Sequence, residues 1–147
     1  MQLQFNLPEI DRVKTKLAVE KALETYRLYS LQVQLDKLPS ITASYSLAPA
    51  SSNLPSSSTE QAAIANVEYE QQRVNYLNWI VRAVNRLSKV EREIIVRRYL
   101  EETEVFDYQI YNDIGMSESS YYRLRGRTFY KLAFALKIEV YKEASKE

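Results

Sequence analysis

The chain has 147 residues, a formal net charge of +1, no cysteine and no histidine. That length suits one modest domain, or a small domain with an extension. The missing residue types exclude disulfides, thiolate or imidazole metal sites, a cysteine nucleophile and a histidine general base, and the carboxylates stand at scattered helix-surface spacings. No cofactor and no metal are therefore expected, and the chain reads as a non-enzyme.

The opening segment MQLQFNLPEID has neither a charged n-region nor an apolar h-region, so it does not read as a signal peptide. No apolar run approaches the roughly 20 residues of a membrane span. A cytoplasmic protein with no membrane contact is expected. No period-two pattern is sustained anywhere, which predicts an all-α fold.

A first helix is predicted over 8–33. Pro8 suits a helix start, and Glu9 and Asp11 suit the positive end of its dipole. Ile10, Val13 and Leu17 form one apolar stripe, which Val19, Ala22, Leu23, Tyr26 and Ser30 continue with a phase shift. The KxK and ExxE side reads as solvated, so a packing helix is the expected role and partner binding the minor alternative.

Residues 39–58 interrupt the pattern, with three of the four prolines and eight serines. Such a stretch reads as a flexible or extended linker. It divides the chain into an N-terminal helical segment, 1–38, the linker, and a helical DNA-binding domain, 59–147. Ser58, Glu60 and Gln61 fit a capping box that opens a long helix to about Leu87. Val67, Val74, Leu77, Val81 and Val84 follow three-four spacing. Tyr69, Tyr76, Ile80, Ala83 and Leu87 widen the face, with Trp79 beside it. A stripe this broad serves either an intramolecular core or a dimer seam. Ser88 and Glu91 form a second capping box, which turns the chain and starts a helix to Leu100 with Ile95 and Tyr99 inward.

An acidic connector, 101–106, leads into DYQIYNDIGMSESSYYRLRGRTFYK, residues 107–131. Asp107 is a good N-cap for a short helix, 108–114. Gly115 supplies the left-handed residue of a sharp turn, and Ser117 caps a new helix. Two helices joined by three or four residues that include Gly have the geometry of a DNA-reading helix pair. Ile110, Ile114, Met116, Tyr121 and Leu124 are placed to close a small core between them. The last helix is expected to run on through Phe129, Leu132, Ala133, Leu136 and Val140 to about Lys142. Gly126 either kinks it or lets it approach a DNA backbone closely.

The charge along this region is segregated. Glu101, Glu102, Glu104, Asp107, Asp113 and Glu118 precede Arg123, Arg125, Arg127, Lys131 and Lys137, with no mixing between the two sets. One basic helix on a nearly neutral chain suits local phosphate contact. Ser117, Glu118 and Ser119 stand at the positive start of that helix, where backbone amides can meet a phosphate. Ser119, Tyr122 and Arg123 are predicted to face base edges, Arg123 through guanine O6 and N7. Arg125, Arg127 and Lys131 are predicted phosphate contacts, or a solvated helix flank.

Residues 87–132 resemble the promoter-recognising C-terminal module of bacterial sigma factors. The blocks that carry the resemblance are LSKVEREIIVRRYL, DYQIYNDIGMSESSYYRL and FYKL. Over most of the chain NLPEIDRVKTKLAVEKALETYRLY, ITASYSL, AVNRLSKVEREIIVRRYLEETEVFDYQIYNDIGMSE and FYKLAFALKIEVYKE are similar to blocks of the ArpU-type (autolysin-regulator) phage transcriptional regulators. Tyr111 departs from the sigma-type pattern, which usually has a small residue there. Tyr121 departs where Val or Ile is usual, and Arg123-Leu124-Arg125 replaces the common Ser-Arg-Leu order. The resemblance implies a sigma-factor-like helix-turn-helix behind long N-terminal helices. It also implies a sequence-specific regulator of late phage genes for packaging and lysis, acting in a bacterial host.

One such helix pair covers few bases. A homodimer on paired half-sites, or cooperation with host RNA polymerase through Glu101, Glu102 and Glu104, would supply further specificity. The alternative expectations are a DNA-packaging subunit of the small-terminase type and an interaction module that never touches DNA.

Overall fold

A computed structural model describes residues 9–41 and 60–143, with side chains described for 9–41 and 67–143. The fold is all-α, as expected. Helices α1 (Arg12–Gln32), α2 (Glu60–Val84), α3 (Lys89–Ile95), α4 (Asp107–Asp113) and α5 (Glu118–Leu136) follow one another. A 3-10 turn, Leu35–Lys37, follows α1, and a π-helical turn, Val96–Leu100, continues α3. Residues 42–58 of the Ser/Pro stretch and the start of the first capping box lie outside the described residues. The described part of the long helix ends at Val84 rather than Leu87, because Asn85 to Leu87 form the turn that Ser88 then caps.

Two apolar clusters build the fold. The larger joins Val19, Leu23 and Tyr26 of α1 to Leu77, Ile80 and Val84 of α2, to Ile95 and Leu100, and to Phe129, Leu132 and Leu136 of α5. The smaller joins Ile94, Ile110 and Tyr121, with Val105, Tyr111, Ile114, Met116 and Leu124 around them. Adjacent Ile94 and Ile95 therefore point into different clusters, and α5 spans both. All five residues expected to close the helix pair are in the smaller cluster. Tyr111 and Tyr121, which depart together from the sigma-type pattern, pack ring against ring with centroids 5.5 Å apart.

α1 corrects two expectations. It begins at Arg12, with Asp11 as N-cap accepting from the Lys14 amide, rather than at Pro8. Val13 and Leu17 are 70% and 58% exposed, while Thr15, Val19, Ala22, Leu23 and Tyr26 face inward. Helical phase is set by which side meets α2 and α5, and that side runs through Thr15. Val67 and Tyr69 are likewise exposed, so the inward stripe of α2 starts further along, near Val74. Tyr76 OH donates to Ala22 O at 2.6 Å and locks α2 to α1.

The end of the chain also departs from expectation. α5 stops at Leu136 rather than near Lys142. Lys137 takes a left-handed conformation, φ 59° and ψ 40°, and the Ile138 amide returns to Ala133 O at 2.9 Å. A left-handed non-glycine costs about 1–2 kcal/mol. Tertiary pairing offsets that cost, because the tail turns back along the start of α1. The Asp11 amide donates to Val140 O at 2.8 Å, and the Lys142 amide to Glu9 O at 2.7 Å. Thr15 Oγ1 donates to Val140 O and accepts from the Val140 amide, at 3.1 and 3.0 Å, which explains a buried threonine on α1.

Candidate nucleic-acid interface

α4 and α5 are joined by residues 114–117, with Gly115 at φ 74°, the left-handed residue expected there. The Met116 amide bonds Tyr111 O at 2.9 Å and closes the turn. Ser117 is the N-cap of α5, its hydroxyl accepting from the Ser120 amide at 3.2 Å.

Asp107 does not cap α4. It is the first residue of that helix, Phe106 is the N-cap, and Gln109 Oε1 accepts from the Phe106 amide at 2.9 Å. The Asp107 carboxylate is held elsewhere. Tyr121 OH donates to it at 2.6 Å, Arg98 pairs with it at 3.3 Å, and Arg125 Nη1 at 3.1 Å. Burial pushes the Asp107 carboxyl up, but the Tyr121 hydrogen bond and the charges of Arg125 and Arg98 outweigh burial and hold it below the usual range. This cluster ties α4, α5 and the π-helical turn together beneath the exposed face of α5.

That outer face carries Glu118, Ser119, Tyr122, Arg123, Gly126 and Arg127, all exposed. Tyr122 stands edge-on to Tyr121, with centroids 5.3 Å apart, and the Arg125 guanidinium lies 4.9 Å from its ring centre. Its ring is therefore held on both sides. Arg123 and Arg127 have no ion-pair partner among the described residues. Arg125 and Lys131 do have partners. Arg125 is only 16% exposed and is committed to Asp107. Lys131 pairs with the buried carboxylate of Glu91 at 2.8 Å, although its side chain is 60% exposed. Of the three cations expected on the phosphates, Arg127 alone is unpaired among the described residues.

α5 runs unbroken through Gly126, from Glu118 to Leu136. A Cβ built there meets nothing within 4 Å. Since Gly costs about 1 kcal/mol relative to Ala inside a helix, Gly126→Ala is expected to raise the melting temperature by a few degrees. Thermal unfolding monitored by circular dichroism measures this, and a lower midpoint would show that the position does not tolerate a side chain.

A neighbour of α5 is not visible in the sequence. A cleft of about 260 Å³ separates α5 from the start of α1, with Arg12 and Lys16 on one side and Tyr122, Gly126 and Tyr130 on the other. Arg12 and Lys16 are legible only as part of the solvated side of the first helix. No local signal brings them to α5, whose residues lie more than 100 positions along the chain.

No family model matches the chain, and no solved structure is found similar to it. Two phage-related proteins are similar over nearly their whole lengths. The uncharacterized phage-related protein Lin1259/Lin1739 of Listeria innocua is 32% identical, over 97% of this chain and 100% of its own. Protein Gp66 of Listeria phage A118 is 29% identical, over 92% of this chain and 96% of its own.

Proposed function

We propose that this chain, which belongs to the phage-related family of Lin1259/Lin1739, binds duplex DNA through α5 and regulates transcription of late phage genes. One observation carries the DNA reading. The inner face of α5 is committed to the fold through Tyr121, Leu124 and Thr128, while the outer face presents Ser119, Tyr122 and unpaired Arg123 just after the helix start. In a helix that enters the major groove by its N-terminal end, those positions meet base edges. The exposed Glu118 carboxylate at the same end suits a cytosine amino group rather than phosphate, while the Ser117 hydroxyl can donate to a phosphate. Arg127, further along, contacts the backbone.

The late-gene role rests on the ArpU-type resemblance of the sequence blocks and on the phage context of the relatives. The connector toward α4 offers a surface to host RNA polymerase. Glu102 and Glu104 are exposed there, with Glu104 anchored to Arg27 at 3.2 Å. A homodimer on paired half-sites extends the site read. No helix among the described residues is long and apolar enough to cross a membrane.

The experiment is selection of a preferred duplex from a random-sequence pool, followed by titration of that duplex and a scrambled one over a salt series. Arg123→Ala is expected to reduce the selected-to-scrambled ratio roughly 5- to 150-fold, the worth of one bidentate base contact. Arg127→Ala is expected to weaken both duplexes alike and to lower the salt slope by about one. An unchanged ratio for Arg123→Ala refutes the assigned face. Failure of the wild type to enrich any duplex refutes DNA reading altogether.

A further inference from the structure

A helix that reads bases needs phosphate contacts to fix its register, yet Arg125 and Lys131 of α5 are held by Asp107 and Glu91. Cations that could supply those contacts stand across the cleft, on the first turns of α1. Arg12 and Lys16 are exposed and line the cleft that faces Tyr122, Gly126 and Tyr130. Arg12 has no partner side chain among the described residues, and Lys16 has only Glu20 at 3.9 Å, a loose pair with both groups well exposed.

Their placement is rigid. The chain ahead of α1 is clamped by the C-terminal tail through the bonds of Asp11 and Thr15 to Val140. The tail itself leaves directly from the end of α5, so α5 holds the start of α1 through the tail's hydrogen bonds as well as through packing. Four residues apart, Arg12 and Lys16 lie about 6 Å from each other along the helix axis. Two nucleotide steps advance about 7 Å along the duplex axis. Gly126 leaves a gap in the facing wall between Tyr122 and Tyr130, where a phosphate backbone can approach α5.

We infer that α1 is a second DNA-contacting element, in which Arg12 and Lys16 hold the sugar-phosphate backbone of the duplex whose groove α5 reads. The inference rests on the DNA reading of α5 and adds a separate surface to it. The occupant is a strand backbone, because the cleft joins the outer face of α5 without a break and its cations are spaced along α1. The aromatic rings of Tyr122 and Tyr130 line the cleft for contact with the sugars.

The test uses the full chain and the two duplexes described above, with the double variant Arg12→Ala, Lys16→Ala and, as a control, Lys21→Ala on the same helix outside the cleft. Both α1 cations are exposed, and melting temperatures within a few degrees of the wild type verify the fold. The expected result is weaker binding of both duplexes by the same factor, at least roughly tenfold at low salt, with an unchanged ratio between them. The slope of log affinity against log salt should fall by about two, since each phosphate that is no longer neutralised removes about 0.9. Lys21→Ala should keep the wild-type slope. The inference is overturned by a wild-type slope in the double variant, by an equal loss in Lys21→Ala, or by a loss confined to the selected duplex. It is also overturned if the wild type binds dTMP in the cleft and its affinity for duplex is independent of Arg12 and Lys16, which would make the cleft a mononucleotide site. The behaviour of Arg123→Ala is independent of these outcomes, so α5 can pass its own test while α1 fails.

Discussion

Tyr121→Ala is expected to lower stability by about 3–5 kcal/mol, the range for truncating a large aromatic in a packed core. Tyr121 is fully buried, and only Ile94 and Ile110 are as deeply buried in the small cluster that joins α4 to α5. Truncation also removes the hydroxyl that donates to Asp107 at 2.6 Å, and the edge packing on Tyr122. For a chain of this length about 4 °C is lost per kcal/mol, so the midpoint should fall by roughly 12–20 °C. Tyr121→Phe separates the two contributions. It keeps the ring and loses only a hydrogen bond to a charged acceptor, worth about 1.5–3 kcal/mol, so it should fall between wild type and Ala. Where Tyr121→Ala remains folded, the selected-to-scrambled binding ratio should fall less than in Arg123→Ala, since the ring faces inward and acts on the interface only through Tyr122. A melting temperature close to wild type would mean that the helix pair does not depend on this cluster.

Glu91→Ala is expected to cost roughly 3 kcal/mol, from a charge-assisted hydrogen bond and half of a capping box together. The residue is 2% exposed. Its Oε1 accepts from the Ser88 amide at 2.9 Å and starts α3, while Thr128 and Lys131 of α5 reach the same carboxylate at 3.4 and 2.8 Å. The single side chain thus caps one helix and ties it to another. Burial pushes the Glu91 carboxyl up, but Lys131 and Ser88 outweigh burial and hold it below its usual value of 4.5. A carboxyl depressed by folding contributes stability that is present above its unfolded pKa and is lost as pH falls through its folded pKa. The gap in stability between wild type and Glu91→Ala should therefore be full at neutral pH, and should begin to close below about pH 4.5. Chemical denaturation across that range measures it, and a gap that stays constant to low pH would mean that the charge of Glu91 contributes nothing. The same variant releases Lys131, so its DNA affinity per folded molecule should rise slightly.

These two residues illustrate what is legible in a sequence. The Ser88–Glu91 box is readable because both partners lie within one turn, and local hydrogen bonds are written in neighbouring residues. Gly115, the Ser117 cap and the five-residue cluster of the helix pair are readable for the same reason. Glu91 as the anchor of Lys131 is not, because the two are 40 residues apart.

Asp107 fits an N-cap by type and position. Only the arrival of Arg98, Tyr121 and Arg125 around it makes it an acceptor for Tyr121 and Arg125 and an ion-pair partner of Arg98 instead. The candidate interface divides along the same line. Arg123 and Arg127 are expected at the surface and stand there without an ion-pair partner among the described residues, whereas Arg125, two residues from either, is turned inward by Asp107. α1 gives the plainest case. Its sequence carries two overlapping apolar stripes, and helix periodicity alone does not choose between them. Packing against α2 and α5, together with the tail that bonds Thr15, selects the stripe through Val19 and Leu23 and leaves Val13 and Leu17 in water. By itself the sequence determined the helices, the caps at Ser88 and Ser117 and the turn between α4 and α5. The tertiary structure decided which cations are tied to carboxylates, and set Arg12 and Lys16 beside α5, because contacts between residues distant in the chain exist only once the helices have packed.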